Sequence, residues 1–334
     1  MKRKTYDVIT LGGATRDIAF YTNAGRIIET PRDLTCQKLL GFEYGAKIIS
    51  EKVFFSLGGG GCNTAVSFAR LGLKTASWIV VGQDREGDSI IKDLKAERVA
   101  TEFVHRDPKL STGFSFITVA ERTKDHVAFL YRGANNNLLF PHNAAKILNA
   151  EWLYVSSLTG KNWKRTADAI INLVSKKKVR LAWNPGETQL LAGQKKLLGV
   201  LKATEVLLIN QDEAIELVLS AEIKPKRIND PKTLIKIIKE WGPKVVVITQ
   251  GKKGVYAYDG QRIFYSQVIS APVVDTTGSG DCFGSSFVAG LIKFKGDIKK
   301  AIKLGMINTA SLVQTVGAQG GLVYWSKIKS KFKD

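Results

Sequence analysis

Short apolar runs alternate along the chain with stretches whose apolar side chains recur at helical spacing. The runs fall at Tyr6–Leu11, 75–81, 151–155, 179–183, 206–209 and 244–249. They are close to continuously apolar, which is what a strand covered on both faces requires. The helical spacing fills the intervals, at 64–71, 88–96, 162–175, 212–219 and 231–241. Strand and helix in turn predict a mostly parallel sheet with helices on both sides.

Two segments break the rhythm. Residues 17–56 are weakly patterned and contain Pro31 and a glycine-bounded stretch, 41–45. Residues 113–131 read as an antiparallel hairpin: an alternating run at 114–119, a polar turn at 121–125 and a second strand at 126–131. Antiparallel strands inside a parallel α/β chain predict a small separate sheet. Placed at the carboxyl edge of the main strands, it would roof the crevice where such folds bind ligands. There is no internal repeat and no low-complexity linker. The expectation is therefore one α/β domain over 1–334, its lid formed by inserted segments at about 17–56 and 112–132.

The chain has 334 residues, 44% of them hydrophobic and 24% charged, which is ordinary for a globular protein. No apolar run reaches the ~18 residues of a membrane span. The basic tip of 1–13 passes straight into a strand without a signal-peptide core, so a cytoplasmic protein with no membrane partner is expected. Cys36, Cys62 and Cys282 are odd in number and widely spaced, which excludes a disulfide framework and a cysteine-based zinc site. His105, His126 and His142 show no ligand spacing and receive no role.

Fifty Lys and Arg against thirty Asp and Glu leave a net charge of +20. Such a surface attracts nucleotides, phosphorylated metabolites and nucleic acid alike. The lysines are scattered through helical stretches, at 176–178, 299–300 and 327–333, with no aromatic stripe or nucleic-acid motif beside them. They read as solvated faces, and no specific nucleic-acid partner is expected.

Chemistry concentrates in two glycine-rich segments. Residues 275–283 read Asp-Thr-Thr-Gly-Ser-Gly-Asp-Cys-Phe, between a strand-like pair and a helical pattern at 282–294. Gly278 and Gly280 allow successive peptide N–H groups to converge, and the following helix adds its partial positive charge. That arrangement suits the charge on a phosphate in transfer. Asp281 beside it would repel a phosphate but could accept a proton from an incoming hydroxyl. The second segment, 58–65, opens a helix with four glycines followed by Cys62 and Asn63. It lacks the Gly-Lys-Ser/Thr of a P-loop, and Asp84 does not complete a dinucleotide fingerprint.

Together these segments resemble the two signatures of the PfkB, or ribokinase-like, carbohydrate kinase family, and the resemblance covers nearly the whole chain. It implies a three-layer α/β/α fold, a mostly parallel sheet with a small antiparallel β lid. It implies an ATP- and Mg²⁺-dependent kinase in which Asp281 is the base and the backbone of Gly278, Ser279 and Gly280 forms the anion hole. Asp17, Gly58, Gly59 and Asn63 match acceptor-binding positions. Asn184, Thr249, Gly251, Gly254 and Asn308 match the nucleotide side. Asn210 and Glu213 match an NxxE motif that organises Mg²⁺ through water. Asp275 and Thr277 match positions that, with 313–317, hold K⁺ in potassium-dependent members.

The implied reaction is phosphorylation of a primary hydroxyl of a small sugar. A nucleoside kinase of the same family is the alternative, with Phe42, Phe54, Phe114 or Phe116 stacking on a base. A non-catalytic sugar or nucleotide sensor would have lost its base, and Asp281 is present. Arg16 and Arg132 each raise the question of an anionic acceptor. The lid also leaves room for a homodimer.

Overall fold

The computed structural model describes residues 5–29, 38–120, 126–141, 143–144 and 148–332. Cys36, His142, the polar turn at 121–125 and the Lys333 end of the basic tail lie outside the described residues. At the centre of the main sheet, β1 (Tyr6–Leu11) pairs on one side with β6 (Thr75–Gly82), which in turn carries β7 (Val104–Asp107). On its other side follow β10 (Ala150–Val155), β11 (Arg180–Trp183), β12 (Val206–Asn210) and β13 (Val245–Thr249). All of these pairings are parallel. An antiparallel hairpin, β14 (Val255–Tyr258) and β15 (Ile263–Ser266), extends the edge beyond β13.

Neighbouring strand residues feed opposite faces. Ile9, Leu153, Leu181 and Leu207 pack with the helices Trp163–Lys176, Gln194–Ala203, Gln211–Leu219 and Pro231–Glu240. Val8, Trp152, Ala182 and Leu208 pack against Phe68, Phe283 and Phe287 of the helices Gly60–Arg70 and Ser279–Lys293. The continuously apolar runs are thus covered on both sides, and the three layers expected from the sequence are present. Among the described residues, no helix is long and apolar enough to cross a membrane.

The second sheet joins β2 (Thr15–Thr22), β5 (Lys52–Gly58), β8 (Gly113–Ala120) and β9 (His126–Tyr131) in the order β5-β2-β8-β9. Its outer pairs are antiparallel and its central pair, β2 with β8, is parallel. A further hairpin, β3 (Arg26–Glu29) with β4 (Lys38–Gly41), projects between β2 and β5 in the chain. Period-two alternation gives the lid two faces. Asp17, Ser56 and Ser115 lie side by side on one, while Ile18, Phe55 and Phe116 lie on the other. Phe20, Phe116 and Phe129 form a ring ladder on that second face, with centroids 4.8 and 6.0 Å apart.

Two boundaries differ from the sequence reading in a way that matters for the site. The first helix begins at Gly60, so two glycines expected in a loop form its first turn. The last motif's helix begins at Ser279, which puts Gly280 and Asp281 in its first turn.

Candidate active site

The sheet order reverses between β1 and β10: the chain winds outward through β6 and β7 on one side and through β11 to β13 on the other. The carboxyl ends of strands flanking such a reversal diverge and leave a crevice. Here that crevice is open to solvent and spans about 710 Å³. Gly13, Gly59, Gly60, Ser156, Asn184 and Asp281 line its floor, and Thr15, Phe114, Ser115, Leu130, Tyr131 and Arg132 come from the lid side.

Asp281 stands at the floor in the first turn of Ser279–Lys293. Asn63 Nδ2 donates to its Oδ2 at 3.0 Å. Burial pushes the carboxyl up from its ordinary value, and the Asn63 bond pulls it back. Asn63 is itself fixed, because its Oδ1 accepts from Gln319 Nε2 at 2.9 Å, and the same nitrogen donates to the Leu57 carbonyl at 3.1 Å. Both ends of the Asn63 amide are therefore committed to protein partners. The residue expected to touch acceptor hydroxyls is engaged instead with the Asp281 carboxylate and Gln319.

The helix in which Asp281 sits is capped by Gly278 in the left-handed region, φ 73°, with no side-chain cap. A Cβ there would come within 2.5 Å of Ala318 Cβ, so the turn requires glycine. The expected amide set needs one correction. Ser279 N donates to the Thr276 carbonyl at 3.1 Å and is spent inside the turn. The helix's first-turn geometry leaves the amides of Gly280 and Asp281 without intrahelical acceptors.

The glycine run before Asn63 has a second reason besides ligand approach. Gly61 N donates to the Gly13 carbonyl at 2.9 Å, and a Cβ on Gly59, φ 85°, would lie 2.5 Å from that same oxygen. Two backbones are packed against each other there. Gly58 abuts the Asp17 carboxylate, while Gly59 and Gly60 face the crevice.

Asp17 lines an adjoining cavity, with Ser56, Asp275 and Thr277, on the same lid face as Ser115. Burial pushes its carboxyl up, and hydrogen bonds from Ser115 and Thr15 together with the neighbouring Arg16 charge oppose that. Asp17 and Asp281 thus line two different cavities rather than facing each other across one. Asp275 clamps two loops: its Oδ1 accepts from Thr277 N at 2.8 Å and Thr277 Oγ1 at 2.7 Å, and its Oδ2 accepts from Gly317 N at 2.8 Å. The 275–277 and 313–317 segments are brought together by these bonds.

On the other flank, Asn184, Asn210 and Thr249 end the adjacent parallel strands β11, β12 and β13, and Asn210 and Thr249 are in register. Asn184 Nδ2 donates to the Leu208 carbonyl at 2.9 Å. Asn210 and Glu213 form a reciprocal capping box, 2.9 Å from Glu213 N to Asn210 Oδ1 and 2.8 Å from Asn210 N to Glu213 Oε2. Burial, aided by Glu216 and Asp212, pushes the Glu213 carboxyl up. Gly251 and Gly254 take φ 52° and 100° in a tight loop closed by Gln250 N to Gly254 O at 2.9 Å.

A model of the pfkB family of carbohydrate kinases matches residues 29–323. The chain belongs to that family. It is 29% identical over 291 residues to a ribokinase of Lactococcus lactis subsp. lactis, covering 87% of this chain and 90% of the relative. Its fold matches an Arabidopsis thaliana ribokinase complexed with ribose and ATP, at TM-score 0.80 and 18% identity over 99% of this chain and all of the other. It also matches a Burkholderia thailandensis nucleoside kinase in complex with inosine, at TM-score 0.78, 16% identity and 97% coverage of both chains. The chain thus carries the ribokinase-like fold of the pfkB family of carbohydrate kinases.

One assignment drawn from the pfkB resemblance does not hold. Asn308 is fully buried, its Nδ2 donating to Ser286 Oγ at 2.8 Å and its Oδ1 accepting from Val323 N at 2.8 Å. A side chain enclosed in that way cannot meet a nucleotide; it pins the C-terminal segment to two helices. Asn308→Ala should lower stability by about 2 kcal/mol or more and the melting temperature by several degrees. The KM for ATP should stay unchanged, as thermal melts and steady-state kinetics would show. Gln319 and Ser156 had no signal in the sequence. Gln319 stands 256 positions from the Asn63 it orients, and nothing local marks either residue.

Proposed function

We propose that this pfkB-family protein transfers the γ-phosphoryl group of ATP to a primary hydroxyl of a small sugar. The observation that carries this reading is a carboxylate, Asp281, held by Asn63 on the floor of the crevice at the mouth of a helix whose first amides are open. The acceptor hydroxyl sits between Asp281 and the helix N-terminus. Its oxygen forms a bond to the γ-phosphorus as the bond to the β–γ bridging oxygen breaks. ADP leaves, and the hydroxyl proton passes to the Asp281 carboxylate. A raised carboxyl is the better base, and a loose phosphoryl transition state asks mainly for a positioned nucleophile. The amides at Gly278 and Gly280 face the charge on the transferring group, and the lid sheet shields the crevice from water.

The nucleotide is placed along the ends of β11 to β13, against Asn184, Thr249 and the loop between Gly251 and Gly254. The donor set there fits Mg²⁺ held mainly by phosphates and water: Glu213 keeps one carboxylate oxygen outside its capping bond, and no cluster of three metal-ligating side chains occurs among the described residues. Bound Mg²⁺ neutralises phosphate charge. For K⁺, Asp275 offers carboxylate oxygens that already bind two loops, so the cation would reinforce an existing clamp beside the anion hole.

A second reading, a nucleoside kinase, is favoured by Phe114, Leu130 and Tyr131 lining the crevice. The Phe116 ring is packed with Phe20 and Phe129 in the aromatic ladder of the lid. ATP consumption and product mass measured over a panel of sugars and nucleosides, with and without KCl, tests both. Phosphorylation of none would remove the reading.

The Asn63 bond has its own consequence. It favours ionised Asp281, so Asn63→Leu raises the carboxyl's pKa and leaves less base at any given pH. The acid limb of the kcat/KM profile should move to higher pH. An unmoved limb would separate Asn63 from the base.

A further inference from the structure

We propose that the acceptor carries an anionic group, carboxylate or phosphate, that pairs with Arg132; this rests on the kinase reading above and narrows its substrate. Arg132 is the one cation and Asp281 the one anion lining the crevice among the described residues. Two other arginines singled out by position are already paired with carboxylates. Arg16, on β2, is drawn away from the crevice by Asp93 at 3.0 Å and Glu86 at 3.6 Å, and Arg70 is held by Glu97 at 2.6 Å. Arg132 has no carboxylate partner among the described residues, and it is exposed toward the crevice rather than packed into the fold.

The root of the side chain is fixed. Arg132 follows the end of β9, and its carbonyl accepts from Asn135 N at 3.0 Å. Asn135 in turn grips the turn between β1 and β2, with Oδ1 accepting from Ala14 N and Nδ2 donating to the Ala14 carbonyl, both at 2.8 Å. The arginine is thereby tied to the same turn that supports the crevice floor. A guanidinium held at that position matches a carboxylate or phosphate with two parallel hydrogen bonds, geometry that a neutral hydroxyl cannot use fully. Phe114, Leu130 and Tyr131 line the crevice beside it and offer apolar surface to the carbon skeleton of the acceptor. The reacting hydroxyl would then lie at the Asp281 end and the anion at the lid end, which sets the acceptor's orientation.

The test compares the intact protein with Arg132→Gln and Arg132→Lys on ribose, inosine, gluconate and fructose 6-phosphate. The expected result is a kcat/KM at least about 100-fold higher on one anionic acceptor than on either neutral one. In Arg132→Gln that ratio should collapse about 100-fold, carried by KM, with partial recovery in Arg132→Lys. The gluconate and fructose 6-phosphate arms distinguish carboxylate from phosphate. Preference for ribose or inosine, unchanged in Arg132→Gln but abolished by Asp281→Asn, would overturn the inference and leave the kinase reading standing. ATP consumption by none of the four would take both down.

Discussion

Asp281→Asn should lower kcat by about three orders of magnitude, within the range that removal of a general base produces. The substitution is nearly isosteric, and an amide oxygen at the same place can still accept from Asn63 Nδ2. Nucleotide affinity, measured by titration, should therefore survive. Stability should move the other way from activity. Burial raises the folded-state pKa of Asp281 above its unfolded value. A carboxyl shifted in that direction contributes its stability below the unfolded pKa and loses it as pH rises through the folded one. At neutral pH the ionised side chain weighs against the folded state. The Asn variant should consequently melt at a higher temperature than the parent at pH 7, with the difference vanishing in acid. A variant with near-normal turnover would remove Asp281 as the base. A variant that melts lower at pH 7 would show that the carboxylate is held by more than the Asn63 bond.

Gly280→Val should reduce phosphoryl transfer by about 100-fold or more, while the protein folds nearly as before. The glycine is exposed and has no positive φ, and a Cβ added to it meets nothing within 4 Å. Valine is no worse than glycine in helix propensity, so the substitution costs the fold little. On the proposed mechanism, side-chain bulk at this first-turn position would crowd the transferring phosphoryl group held by the helix amides. Gly278→Ala is the contrast. That position requires a left-handed backbone and abuts Ala318, so its loss should appear as unfolding in a thermal melt rather than as a selective kinetic defect. If Gly280→Val retained parental turnover, the amides at the helix mouth would have no part in transfer.

Much of the architecture was legible because parallel strands buried on both faces must be apolar nearly throughout. β1, β6, β10, β11, β12 and β13 all coincide, to within a residue at either end, with runs visible in the sequence. The edge strands β7, β14 and β15 were not, since each is four residues long and only partly covered, which leaves no pattern to read. Helix starts at Gly60 and Ser279 were missed for a related reason: glycine propensity argues against helix, and here close backbone packing and the cap geometry override it. At the site, Asp281 and the glycines around it were marked by local order along the chain. What was not legible is the use of side chains whose partners are remote. Asn63 reads as a ligand-facing amide until Gln319 and Asp281 are seen to occupy it. Asn308 reads as a nucleotide neighbour until the fold encloses it. Arg16 and Arg132 read alike, and only strand parity and the acidic residues of the helix Arg85–Ala96 separate them.

The link from Gln319 through Asn63 to Asp281 joins the two ends of the polypeptide at a single carboxyl group. During synthesis, a growing chain that has already formed β1 and the helix after it still lacks the partner that orients Asn63 toward Asp281 until residue 319 has been made. The setting of that carboxyl is therefore completed only when nearly the whole fold is in place.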